Sequence, residues 1–170
     1  YFCGNCSIKP ARPCGIRAAE GQRVRDDVPN QSPPIAGGNA WRGDPLLIQI
    51  ADDFSAPVRK DLDALGRFVL SQEALETARL ANVDTPVLRT HYRHGRRIDT
   101  VDYHPAYHAL MRRSMASGLH SSIWENSAAE TGRRHQVRAA RFYLTAQLET
   151  GHLCPIPMPS ASLAVLMASP

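Results

Sequence analysis

Between Leu80 and Arg113 the sequence reads LANVDTPVLRTHYRHGRRIDTVDYHPAYHALMRR. This segment constrains the fold more than any other. Pro86 blocks a helix from running on past Asn82, because proline lacks an N–H and its ring clashes with the preceding turn. Two short runs, Val87 to Tyr92 and Arg96 to Tyr103, then flank His94-Gly95, where glycine accepts the positive φ of a tight link. Leu88, Ile98, Val101 and Tyr103 give this hairpin a partial apolar face. A lone hairpin is marginal in water, so a helix is expected beneath it. His104-Pro105 opens the next helix at once, with Tyr107, Leu110, Met111 and Met115 as its stripe and Gly118 as the residue that ends it.

The rest of the chain carries helical spacing. Asp44-Pro45 pairs a good N-cap with a proline suited to the first turn, and Leu46, Leu47, Ile50 and Phe54 follow at helical intervals. Ala56-Pro57 restarts a second helix with Val58, Leu62 and Leu65 on one face, and Gly66 weakens its end. Ser71 caps a third, QEALETARLAN, with Ala74, Leu75, Ala78 and Ala81 inward. A short piece containing Trp124 spans Leu119 to Asn126. A longer helix runs from Thr131 to Thr150 on Val137, Ala140, Leu144 and Leu148, and ends at Gly151. CPIPMPS then breaks the chain, and Ser160 caps a final helix. Residues 28–43, with NQSPP and AGG, read as loop. The predicted class is mainly α with one small β-hairpin.

Composition bounds the function more by exclusion. At 170 residues the chain can bury a real core, and its 43% hydrophobic and 21% charged content is ordinary for a globular domain. The formal charge of +4 is too small to argue for nucleic acid by itself. Eighteen of the twenty basic residues are arginine, Lys9 and Lys60 excepted; a GC-rich coding bias explains this more simply than phosphate binding. There is no uninterrupted apolar run long enough for a membrane span and no signal-peptide pattern at the start, so the expectation is a cytoplasmic protein without membrane contact. Residues 1–28 hold Cys, Gly, Pro and Arg with little apolar periodicity. They are expected to be a leader, disordered or outside the domain, with residues 29–170 forming the domain. The apolar run SLAVLMASP at the end leads us to expect a C-terminally truncated domain that is marginally stable or self-associating.

Several clusters invite a chemical reading. Cys3, Cys6 and Cys14 give three thiols, one short of a structural zinc site, with no histidine nearby. His104 and His108 stand at i, i+4, but the zinc-protease Glu between them is missing, so a cap and a packed histidine are expected. Arg89, Arg93, Arg96 and Arg97, with His91 and His94, line the hairpin. Solvated charges that keep strand edges from pairing with other chains explain them best, and phosphate contact is the competing reading. Arg134, Arg138 and Arg141 form a basic stripe opposite the core face of their helix, read as an exposed polar face or as ion pairs with a neighbouring domain. The sequence contains neither GxGxxG, GxxxxGK[ST] nor GxSxG. No residue is assigned a catalytic, cofactor-binding or metal-binding role.

From about Asn30 onward the chain resembles the N-terminal domain of AidB-like proteins, the adaptive-response branch of the acyl-CoA dehydrogenase superfamily. The resemblance rests on an ordered set of segments: NQSPP, ETARLANVDTPVLR, HGRRIDTVDYHPAYHALMRR, the Trp124-Glu125 pair, and RAARFYLTAQLETGHLCPIPM. It implies the N-terminal helical domain of a fold that continues into a β domain and a C-terminal helical domain, with FAD and usually a tetramer. It also implies a link to protection against DNA alkylation and to double-stranded DNA, the latter through the C-terminal region. The family's flavin loop (Met-Thr-Glu followed by Gly-Gly-Ser-Asp) is not in this sequence. The fragment alone is therefore expected to bind no FAD and to serve packing, cleft-wall and oligomer contacts beside the rest of its own chain. The alternative is a free-standing helical module that contacts DNA through its Arg-rich hairpin and helix.

Overall fold

A computed structural model describes residue 32, residues 35–125 and residues 132–168. Contacts divide the chain into residues 1–33 and 34–170, and the fold below is that of the second unit. The leader and its three cysteines lie outside the described residues.

The elements follow one another as α1 (Pro45–Ile50), α2 (Ala56–Val69), α3 (Gln72–Val83), β1 (Val87–His91), β2 (Arg97–Asp102), α4 (Pro105–Ala116), α5 (Arg134–Ala146) and α6 (Pro157–Ala168). Short 3-10 turns at Ser122–Trp124 and Gly151–Leu153 flank α5. The mainly α class with one hairpin is as the sequence implies.

Local chemistry sets the helix ends. Asp44 Oδ1 accepts the Leu47 N–H at 3.0 Å, and Ser71 Oγ accepts that of Ala74 at 3.2 Å, each satisfying a donor that the helix itself leaves open. At the other end of α4, the Leu119 N–H reaches the Ser114 carbonyl and the Gly118 N–H reaches that of Met115, with Gly118 at φ +69°. This 6→1 and 5→2 pair is a Schellman closure, and it needs the left-handed residue. Gly66 has a different reason to be glycine. A Cβ there would stand 2.3 Å from Asn39 Oδ1 and 2.5 Å from Trp41 Cβ, so α2 continues through it and the 39–41 loop presses on its bare backbone. The sequence suggested only a weakened helix end.

Two clusters form the core. Trp41, Leu47, Phe54, Val58, Leu62, Leu65 and Val69 meet Val137, Ala140 and Leu144 where α2 packs on α5. Leu119, Leu153 and Ile156 gather Met111, Phe142 and Ala146 into a smaller second cluster. Part of the predicted α1 stripe faces water, for Leu46 is 64% and Ile50 46% exposed. In α4 the inward face is Ala106, Leu110 and Ser114, while Met115 is exposed. Six residues of α1 are too few for periodicity to fix a face, and in α4 the side chains opposite α3 decide it.

The hairpin pairs in register Val87↔Asp102, Leu88↔Val101 and Arg89↔Thr100, then slips before His91↔Arg97. Asp99, at φ +47°, takes up the extra residue as a bulge, a conformation that short polar side chains tolerate. At the tip, Gly95 at φ +81° closes a turn in which its N–H reaches the Tyr92 carbonyl. The expected covering helix is absent among the described residues. Val87, Leu88, Val101 and Tyr103 are all exposed, and only Ile98 is half-buried.

The final helix also departs from expectation. CPIPMPS breaks the helical course only over residues 154–156, a turn and bend, because Pro157 already stands in the first turn of α6, where a missing N–H costs nothing. Ser160 lies inside α6, and its hydroxyl donates to the His120 carbonyl at 2.6 Å. The helical stretch Gly151–Ala168 is, by length and composition, long and apolar enough to cross a membrane. Its start is core, since His152, Leu153 and Ile156 are buried; beyond Ser160 every described residue is exposed.

Candidate functional site

The turn that follows α5 gathers the densest buried polar chemistry among the described residues. Glu149, His152 and Ser114 are all buried. Glu149 Oε2 accepts the His152 backbone N–H at 2.9 Å and meets its Nδ1 at 2.6 Å. Glu149 Oε1 accepts from the Gly151 N–H and from Asn82 Nδ2 on α3. A carboxylate only accepts, so Nδ1 donates to Glu149, and Nε2 on the far side of the ring meets the Ser114 hydroxyl at 2.8 Å. Burial pushes the Glu149 carboxyl up, but hydrogen bonds from the His152 backbone, its ring and the Gly151 N–H outweigh it and hold the group below its ordinary value.

The order Ser–His–Glu matches the relay of serine hydrolases. Access decides against that chemistry. Ser114 is 2% exposed, and the space beside it is about 10 Å³, room for one water at most. The chain of bonds ties α4 to the α5–α6 turn, with Asn82 adding α3. Nothing in the sequence reading singled out these three residues; the available signal was Glu149 and His152 at i, i+3 around Gly151.

Beside this turn lies an open cavity of about 280 Å³, lined by Asp84, Tyr103, His104 and Tyr107 among others. Tyr103 and Tyr107 stack with centroids 4.4 Å apart. His104 caps α4 as expected, its Nδ1 accepting the Ala106 N–H at 3.1 Å. His108 is exposed rather than packed, meeting both tyrosines edge-on. No group of three metal-ligating side chains occurs among the described residues.

The arginines split into two groups. Those of α5 are engaged. Arg134 donates to the Ile123 and Glu125 carbonyls, Arg138 Nε donates to the Leu119 carbonyl at 2.6 Å, and Arg141 pairs with Asp61 at 2.8 Å. The predicted exposed stripe is a clamp on the 119–125 loop and on α2. Burial lowers the Arg138 pKa, and its Nη2 has no partner among the described residues. On the hairpin, Arg89 pairs with Asp102 and Arg97 with Asp99. No partner of the Arg93 or Arg96 side chain is found among the described residues.

Comparison with known proteins settles the family. The profile described as the adaptive response protein AidB N-terminal domain matches residues 30–170. The chain belongs to the AidB N-terminal domain family. It is also similar to the putative acyl-CoA dehydrogenase AidB of Escherichia coli (strain K12), at 37% identity over 139 residues, or 81% of this chain and 25% of that one. Among solved structures it is similar to Bd2924 in its apo form, with a TM-score of 0.68 at 21% identity, covering 81% of this chain and 28% of that one. That likeness shows the fold alone. This AidB N-terminal domain thus spans about a quarter of the length of the curated relative it matches. AidB-like acyl-CoA dehydrogenases are in general FAD-dependent.

Proposed function

We propose that this domain is the N-terminal helical part of an FAD-dependent, AidB-like acyl-CoA dehydrogenase family protein linked to the DNA alkylation response. Its own role in that protein is structural. It packs against the β and C-terminal helical domains, walls one side of the cleft and contributes to homotetramer contacts in the cytoplasm. The observation that carries this reading is the apolar surface left uncovered on α6, where Leu163, Val165, Leu166 and Met167 are 36–71% exposed. Apolar patches of that kind mark interfaces.

The described residues do not fit a flavin. A dinucleotide's phosphates need backbone N–H groups converging at a glycine turn, usually before a helix. Gly95 and Gly118 close the hairpin tip and the end of α4, and Gly37 lies in the loop beside Leu70. Gly132 precedes α5, but Arg133 there is paired with Asp53 and Arg134 with loop carbonyls. The flavin and any proton abstraction from an acyl substrate therefore belong to other parts of the longer protein. The reading frame beyond Pro170 tests the proposal. It is expected to encode the Met-Thr-Glu and Gly-Gly-Ser-Asp flavin loop, and a stop codon with no such loop overturns it.

A second reading rests on the hairpin tip, where Arg93 and Arg96 are left to contact phosphate on DNA. An affinity that falls steeply with salt supports it, and no binding at low salt removes it.

A further inference from the structure

Neither the core nor a packing role explains the 280 Å³ cavity at the end of α3. It lies where Asp84, the Pro86 link, Tyr103 at the foot of β2 and His104 and Tyr107 at the start of α4 meet the Glu149–His152 turn. We propose that this cavity binds a guanidinium group, with Asp84 as its carboxylate partner and the Tyr103–Tyr107 pair as its aromatic wall.

The first observation is charge. Two carboxylates line the cavity and no lysine or arginine does. Glu149 has its oxygens spent on the turn, yet its charge still lies at the cavity wall. Asp84 is the C-cap of α3, where the helix carbonyls already concentrate negative potential, and the last turn of α3 holds no basic residue. Arg79, one turn earlier, feels the Asp84 charge, but its guanidinium is held by Glu76 through two hydrogen bonds at 2.7 and 2.8 Å. Because His104 Nδ1 accepts the Ala106 N–H, the ring proton sits on Nε2, 3.5 Å from Asp84 Oδ2; no partner of Asp84 Oδ1 is found among the described residues. A carboxylate oxygen of Asp84 is therefore open to a ligand. An anion would meet two like charges here.

The second observation is shape and surface. The stacked tyrosines lie at an interplanar angle of 17°, a flat surface to which a planar, weakly hydrated guanidinium adds well. Neither phenol hydroxyl has a hydrogen-bond partner among the described residues. Burial, then Tyr103 and Glu149, push the Tyr107 phenol up, so it stays a neutral hydroxyl. A guanidinium offers five donors in one plane and can use the Asp84 carboxylate and a phenol oxygen together.

The test titrates the 170-residue chain with methylguanidinium and with methylurea, its uncharged isostere, following the Tyr103, Tyr107 and His104 signals by NMR. Methylguanidinium is expected to give saturable shifts at the tyrosines and methylurea none. Asp84→Asn should weaken binding about 5-fold, as for a partly exposed ion pair, with the thermal midpoint unchanged or raised because a charge leaves the carbonyl end of α3. Tyr103→Leu should weaken it about 2- to 5-fold. Agmatine and N-acetylargininamide separate the two sources of the group: tighter binding of the first points to a free metabolite, of the second to an arginine side chain of a partner. Equal shifts with methylurea, undiminished binding by Asp84→Asn, or no saturable shift at the tyrosines overturns the proposal.

Discussion

Replacing Glu149 with glutamine probes the polar network that holds the domain's second layer. The carboxylate accepts two backbone N–H groups, the His152 ring and Asn82 Nδ2. An amide keeps the shape but turns an NH₂ group toward donors on one side and removes the charge. The side chain is 6% exposed and its histidine partner 0%, so water does not make good the loss. Removing one member of a buried hydrogen-bonded pair costs about 3–5 kcal/mol. Against a total stability of about 5–15 kcal/mol for a domain, that is a large fraction. At about 2–8 °C per kcal/mol for domains of this size range, the midpoint should fall by at least ~6 °C. Thermal and urea unfolding followed by circular dichroism would measure it. The pH dependence adds a sign. The Glu149 carboxyl is held below the ordinary carboxyl value of 4.5 in the folded state. Its ionised form therefore stabilises the fold above about pH 4.5, and that contribution is lost as pH falls through the depressed value. The glutamine variant should lack this acid-side loss. A loss under ~1 kcal/mol, or an acid limb identical to the parent, would refute the account of the network.

Three further outcomes follow from the packing. Gly66→Ala places a methyl group 2.3–2.6 Å from Asn39 and Trp41, and should cost at least ~1–3 kcal/mol by overpacking in urea unfolding; a stabilised protein contradicts the close approach. Leu144→Ala, at a side chain 0% exposed where α5 meets α2, should cost about 2–5 kcal/mol in the same assay. Leu88→Thr, on an uncovered strand, should change the stability of the 170-residue chain by no more than ~0.5 kcal/mol, and a larger loss in thermal unfolding would mean that the hairpin is packed after all.

The sequence was legible where short-range chemistry decides. Asp44, Ser71, His104 and Gly118 mark the helix ends they were expected to mark, because capping depends on residues a few positions apart. Gly95 closes the hairpin for the same reason. What failed to read depends on groups distant in sequence. Gly66 is explained by Asn39, 27 positions away, and Ser114 by His152, 38 positions away. The arginine stripe on α5 has the period of a solvated face, yet the 119–125 loop lies over it. Ser160 looked like a cap and is a tether to His120, because Pro157 had already started the helix. The cavity at Asp84 joins residues from α3, β2, α4 and the α5–α6 turn, and no spacing within one element announces it.

Amide hydrogen exchange on α6 and the hairpin, compared between the 170-residue chain and a chain extended by the proposed β and C-terminal helical domains, is the most direct test. The uncovered faces of Leu163–Met167 and of Leu88 and Val101 are the proposed surfaces for the β and C-terminal helical domains and for subunit contacts. The account predicts fast exchange across residues 157–168 and 87–102 in the short chain and strong protection of both in the long one. Equal exchange in the two proteins would contradict it.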